Sequence, residues 1–164
     1  MGNRGKNTTY NSTPVQRLRL DDDAMDSVRS RIAMGIQDAL EAIAGDIEAQ
    51  YGVDAAAASL IAAQEAVAAV EAFRWVKAGQ ARAAGVSAVG VTQAMGYRSQ
   101  TSLFRFLDTI DRVALSQAQA NDSGVPQHVS AGGFTYVLKP VPGGLSQYEA
   151  ARRGYGRSGG GDAA

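Results

Sequence analysis

The chain has no cysteine, so it can form no disulfide framework, no thiolate metal site and no cysteine nucleophile. Its single histidine, His128, cannot build an imidazole cage. No stretch approaches the roughly 20 consecutive apolar residues that cross a bilayer, because Gln64, Glu65 and Glu71 interrupt the longest one, and no transmembrane segment is expected. The first twenty residues are polar and carry Arg4, Lys6, Arg17 and Arg19 without an apolar h-region, so no secretory signal is expected and the expected compartment is the cytoplasm. A phosphate-binding loop, a dinucleotide-binding glycine pattern and a nucleophile elbow are all missing. Asp21, Asp22, Asp23 and Asp26 suit a helix start better than a magnesium cluster, and His128 suits a turn or strand better than a general base. Neither an enzyme nor a cofactor is expected.

What is present is 164 residues, enough for one domain with tails. Sixteen basic groups balance sixteen acidic ones, so no global field can select a partner. The balance is regional. Residues 1–20 carry four basic and no acidic groups, whereas residues 21–71 carry eleven acidic and two basic ones. From Ala72 to Leu107 there is no carboxylate at all, while Arg74, Lys77, Arg82, Arg98 and Arg105 are present. Thirty alanines reflect composition bias and lower the weight of each one.

Asp21–Asp23 can cap a helix that begins near Asp23. Met25, Val28, Ile32, Ile36, Leu40, Ile43 and Ile47 then recur at three- and four-residue spacing, one stripe of an α-helix. Tyr51-Gly52-Val53 predicts a turn, and Asp54 a second cap, before a helix from Ala55 to at least Val76 whose apolar line is Leu60, Ala63, Val67, Val70 and Phe73. So short a link predicts an antiparallel α-hairpin. Two helices make a poor core, so the stripes are expected to be buried by the following helices and by a second copy of the chain.

Gly85-Val86-Ser87 interrupts this pattern. Ser87 can cap a short helix holding Val91, Thr92 and Met95, Gly96 can take a positive φ, and Tyr97 can fold back beneath it. Ser99 is the next cap candidate, with Leu103, Leu107 and Ile110 marking a longer helix from Gln100 to about Ser116. A short helix, a tight turn and a longer helix in this order resemble a helix-turn-helix, and the segment Gln80–Leu107 is similar to the AraC-type variant, under a fifth of the chain. Val91, Met95, Tyr97, Leu103 and Leu107 match its buried positions, while Thr92 stands where that family usually has Ala. The resemblance does not extend to the paired motifs or the ligand-binding domain of those regulators. In overall style the chain is similar to small phage or plasmid DNA-binding proteins.

The resemblance implies insertion of the second helix into the major groove of double-stranded DNA. The residue chemistry agrees. Gln100, Thr101 and Arg105 lie off the Leu103–Leu107–Ile110 line and suit base edges, with Gln matched to adenine and Arg to guanine or phosphate. Arg98, Ser99 and Ser102, at the helix start, and Arg82 and Lys77, in the carboxylate-free stretch, are the remaining DNA-binding candidates. The plainer alternative is a helical bundle in which Gly96 ends one helix and Ser99 begins another. Of Phe104 and Phe106 only one can be core; Trp75 is expected in the core.

The chain is expected to divide into a flexible basic arm (1–20), an acidic α-hairpin serving oligomerisation (21–78), the helix-turn-helix (79–118), a loop with a β-hairpin around Gly132-Gly133 (119–142) and a disordered tail (143–164). The arm either follows a DNA groove, solubilises the chain or folds onto the acidic hairpin. The β-hairpin is either a wing, with Lys139 on phosphate, or a segment that binds a partner protein. The fold class is thus mainly α. The leading expectation is a sequence-specific transcriptional regulator acting as a homodimer. Its rivals are a phage-type DNA-packaging subunit resembling a small terminase, and a helical interaction module without nucleic-acid affinity.

Overall fold

The computed structural model describes residues 21–97, 99 and 101–155; the basic arm and residues 156–164 lie outside them. In chain order it comprises α1 (Asp22–Tyr51), α2 (Ala55–Ala83), α3 (Ala88–Ala94), α4 (Thr101–Phe104), α5 (Leu107–Ser123), β1 (Gln127–Ala131), β2 (Phe134–Leu138) and α6 (Gln147–Arg152). The fold is mainly helical with one small antiparallel sheet.

The caps fall where the acidic side chains stand. Asp21 accepts the Ala24 amide at 2.8 Å and Asp54 accepts those of Ala56 and Ala57, satisfying backbone donors that the first helical turn leaves free. Between them Gly52, at φ 63°, reverses the chain, and Ala44 packs with Ala58 and Ala62 near the turn, with Leu40, Ile47 and Val53 against them.

Beyond that patch the hairpin departs from the expected packing. The line Leu60, Val67, Val70 and Phe73 of α2 faces outward, with Leu60 71% and Val67 67% exposed. The buried line is instead Ala58, Ala62, Ala72, Trp75, Val76, Gly79 and Ala83. Small side chains let neighbouring backbones come close, and close packing wins over the larger residues' individual hydrophobicity. α2 is also long and apolar enough by length and composition to cross a membrane.

α5 lies along the second half of α2. At Gly79 the approach is so close that an added Cβ would collide with the Val113 side chain and come within 2.7 Å of the Ile110 carbonyl oxygen. The β-hairpin closes one side, with Val129, Ala131 and Leu138 packed on Ala72, Val76 and Val113. Gln127 pairs with Leu138 and Ala131 with Phe134 across the turn at Gly132-Gly133. The Tyr136 hydroxyl donates to the Ala69 carbonyl at 2.7 Å, and burial raises its pKa. This placement leaves β1 and β2 facing the α2–α5 core, while Lys139 is exposed and its carbonyl accepts from Gln117.

The expected tail is folded as far as Tyr155. Ser146 and Glu149 form a reciprocal capping box on α6, an S-x-x-E signature that the Gly-rich surroundings obscured. Leu145, Ala150 and Tyr155 pack on Ala83, Ala114 and Ala118. The buried Gln117 ties these parts together: its amide oxygen accepts from Gln80 at 2.8 Å, and its nitrogen donates to Asn121 and to the Lys139 carbonyl. Asn121 in turn donates to the Leu145 carbonyl. Two expected boundaries shift accordingly, since α2 runs on past residue 79 to Ala83, and α5 runs through residues 118–123.

Two predictions follow from the packing. Gly79→Ala gains about 1 kcal/mol of helix propensity, but overpacking against Val113 and the Ile110 backbone costs about 1–3 kcal/mol. The variant should therefore be less stable in urea; equal or higher stability would contradict the close approach. Separately, hydrogen bonds from the Ser146 backbone and hydroxyl hold the Glu149 carboxyl below its ordinary pKa, with Arg153 and Arg152 assisting. The stabilisation from this lowered value is present above the ordinary carboxylate pKa and is lost as pH falls through the folded value. Glu149→Gln should remove that part of the acid sensitivity of the urea midpoint.

Candidate nucleic-acid interface

The segment after α2 is shaped by two reversals with a helix cap between them. The Val86 amide reaches back to the Ala81 carbonyl and that of Gly85 to Arg82, closing α2 with a Schellman motif. Ser87 then caps α3 by accepting the Gly90 amide at 3.1 Å. At the other end of α3 the Tyr97 amide bonds to the Thr92 carbonyl and the Gly96 amide to Gln93, a second Schellman motif with Gly96 at φ 77°. Only a residue without a Cβ takes that conformation at no cost, so Gly96 sets the sharp bend that the sequence predicts.

Tyr97 folds back as expected and joins a cluster with Trp75, Val91, Leu103 and Ile110. Trp75 is its centre. The Phe106 ring stacks on it at 3.6 Å between centroids and the Tyr97 ring lies at 6.3 Å. Phe106 is therefore the core phenylalanine and Phe104, 63% exposed, the outer one. Val91 and Leu103 are buried, and Met95, Tyr97 and Leu107 half-buried. The Thr92 hydroxyl donates to the Ala88 carbonyl of its own helix at 2.8 Å, so a threonine at this buried position leaves no unpaired polar group.

The longer helix expected from Gln100 to Ser116 is broken. α4 is a single turn, the chain leaves helical geometry at Phe106 (φ −121°, ψ 2°), and α5 starts at Leu107. Thr101, Phe104 and Phe106 are among the weaker helix formers, and the stack on Trp75 fixes the backbone where the helix would have continued. Ser99 forms a bend two residues before α4.

The candidate contacts divide into three groups. Ser99, Thr101 and Arg105 are exposed around α4, and Lys77 is exposed on α2, donating to Gln80 at 2.9 Å with its ammonium 4.9 Å above the Phe73 ring. Arg98, Gln100 and the side chain of Ser102 lie outside the described residues. Arg82 is half-buried and turned inward: it donates to the Val86 carbonyl at 3.2 Å and sits 5.1 Å from the Tyr155 ring. Its charge also acts on Asp111, whose pKa burial raises, Arg82 lowers and Asp108 raises. Arg82 is thus a structural cation rather than a free phosphate ligand.

Sequence reasoning passed over Arg74 as a contact residue. It donates to the Met95 carbonyl at 3.5 Å and lies 3.6 Å from Glu71, placing a cation beside the turn. Its membership of the carboxylate-free stretch was the available signal. Among the described residues no group of three or more His, Asp or Glu side chains is arranged to hold a metal. Comparison with family models, with curated proteins and with solved structures finds no match for this chain.

The aromatic stack gives a direct test of how this segment is held. Phe106→Ala should cost about 3 kcal/mol and shift the emission of the only tryptophan, Trp75, to longer wavelength. Unchanged emission and stability would mean that the stack does not anchor the α3–α4 unit.

Proposed function

We propose that the chain binds double-stranded DNA through α3, the Gly96 turn and α4 acting as a helix-turn-helix, and works as a homodimeric, sequence-specific transcriptional regulator. The observation that carries this reading is the stretch from Ala72 to Leu107, which holds no carboxylate and runs from the C-terminal part of α2 through α3, the sharp turn at Gly96 and α4. A surface that meets one negative charge per about 1.7 Å of duplex has reason to exclude Asp and Glu; an ordinary bundle surface does not. Ser99, Thr101 and Arg105 supply a phosphate or base-edge donor set on the exposed side. Because α4 is one turn long, base reading rests on few side chains, and Arg105 and Thr101 carry most of it.

A DNA-packaging subunit is the second reading, favoured by the apolar rows exposed on both helices of the hairpin, which suit a ring of many copies. Mass separates the two, since regulation calls for a dimer with one preferred operator and packaging for a larger closed ring.

Selection of bound duplexes from a random library tests the reading. The wild-type chain should enrich one site, and Arg105→Ala and Thr101→Ala should relax preference within it, losing about 1–3 kcal/mol for each good base contact. No enrichment, or an identical site profile in both variants, would refute the assignment.

A further inference from the structure

α1 contains a segment that touches little of its own chain. Every residue from Asp26 to Ala39 is exposed, although Val28, Ile32, Met34 and Ile36 lie among them, Ile32 at 56%. Isolated helices of this length are marginal in water and gain most of their stability by burying an apolar face. A second apolar row stands open on α2, formed by Val67, Val70 and Phe73. It borders a groove of about 380 Å³ between α2 and α3, whose lining includes Val70, Phe73, Val91 and Met95, with Arg74 and Lys77 among its walls.

We infer that this row and groove receive the start of α1 from a second copy of the chain, each copy giving its α1 and accepting the other's. Three observations select this occupant. The first is length: Val28 to Ile36 spans about 12 Å of helix and Phe73 to Val67 about 9 Å at 1.5 Å per residue. An antiparallel seat therefore pairs Val28 with Phe73, Ile32 with Val70 and Ile36 with Val67. The second is charge. That seat brings Asp22 and Asp23, exposed at the start of α1, toward Lys77 and Arg74 at the end of the receiving row, where Glu71, 3.6 Å from Arg74, is the one carboxylate between Val67 and Lys77. The third is self-complementarity: the donor row and the acceptor row are on the same chain, so one two-fold operation satisfies both at once, as closed dimers require. The inference deepens the homodimer of the proposed function and does not depend on DNA binding.

The absence of native cysteine makes crosslinking a clean test on the full chain. Chains carrying Ile32→Cys and Val70→Cys, mixed and oxidised, should join to each other, while each alone should not couple to itself. Both positions are exposed, so neither substitution disturbs the fold. Sedimentation without DNA should give a dimer for the wild type. Its dissociation constant should rise about tenfold or more on reversing Asp22 and Asp23 to Lys, or Arg74 and Lys77 to Glu, and the chain carrying both reversals should recover affinity. A monomer at micromolar concentration, a dimer that does not form the 32–70 link, or charge reversals without effect would overturn the interface. So would a monomer that floats with neutral lipid vesicles, which would give the rows to a membrane. Because the mass and the crosslink are read without nucleic acid, loss of DNA binding alone leaves the interface standing, and loss of the dimer alone leaves the helix-turn-helix standing.

Discussion

The close approach of α2 and α5 at Gly79 governs the rest of the structure. Without a Cβ at that point the two helices come near enough for Val113 and the Ile110 backbone to lie against α2. That contact fixes where both ends of α5 go. One end leads back through Phe106 to the stack on Trp75 and so holds the α3–α4 unit against α2. The other end places Gln117 and Asn121 where they bind Gln80 and the backbone at Lys139 and Leu145, drawing in the β-hairpin and α6. Dispersion and hydrogen bonding reinforce one another here, because a satisfied buried amide network tolerates few alternative arrangements.

The division of labour along α2 follows. Its second half is core, covered by α3, α5 and the sheet, and its first half meets α1 through Ala58 and Ala62 against Ala44, with Leu40, Ile47 and Val53 beside them. The hairpin therefore projects from the packed part with apolar rows in the open. Exposed apolar rows of that kind mark an interaction surface. The chain's charge asymmetry maps onto the same division, since the acidic groups concentrate in the hairpin and the cations without carboxylates in the packed part that carries the turn.

Much of this was legible in the sequence, for identifiable reasons. Asp21, Asp54 and Ser87 cap where they stand because an acceptor beside free amides acts locally, and Gly52, Gly96 and Gly132-Gly133 mark reversals because the backbone conformation itself requires them. Three features were not legible. The buried face of α2 carries alanines beside Trp75 and Val76, and hydrophobicity alone ranks Leu60 and Val67 above Ala62 and Ala72. The break at Phe106 depends on a ring stack with Trp75, thirty-one positions earlier, which no local pattern encodes. α6 hid behind glycine-rich flanks although Ser146 and Glu149 carried its signature. At the candidate interface the exposure of Thr101 and Arg105 agrees with the periodicity, whereas the inward turn of Arg82 brings it to the Val86 carbonyl and to Tyr155, seventy-three positions later, a contact that no local pattern encodes.

The central claim is that the carboxylate-free unit around Gly96 meets a polyanion. The most direct measurement is the affinity of the full chain for a duplex across a series of salt concentrations. The account predicts that the logarithm of the binding constant falls linearly with the logarithm of salt, by about 0.9 for each phosphate engaged, and that Arg105→Ala makes the slope shallower. An affinity that does not change with salt, or no duplex binding at low salt, would contradict it.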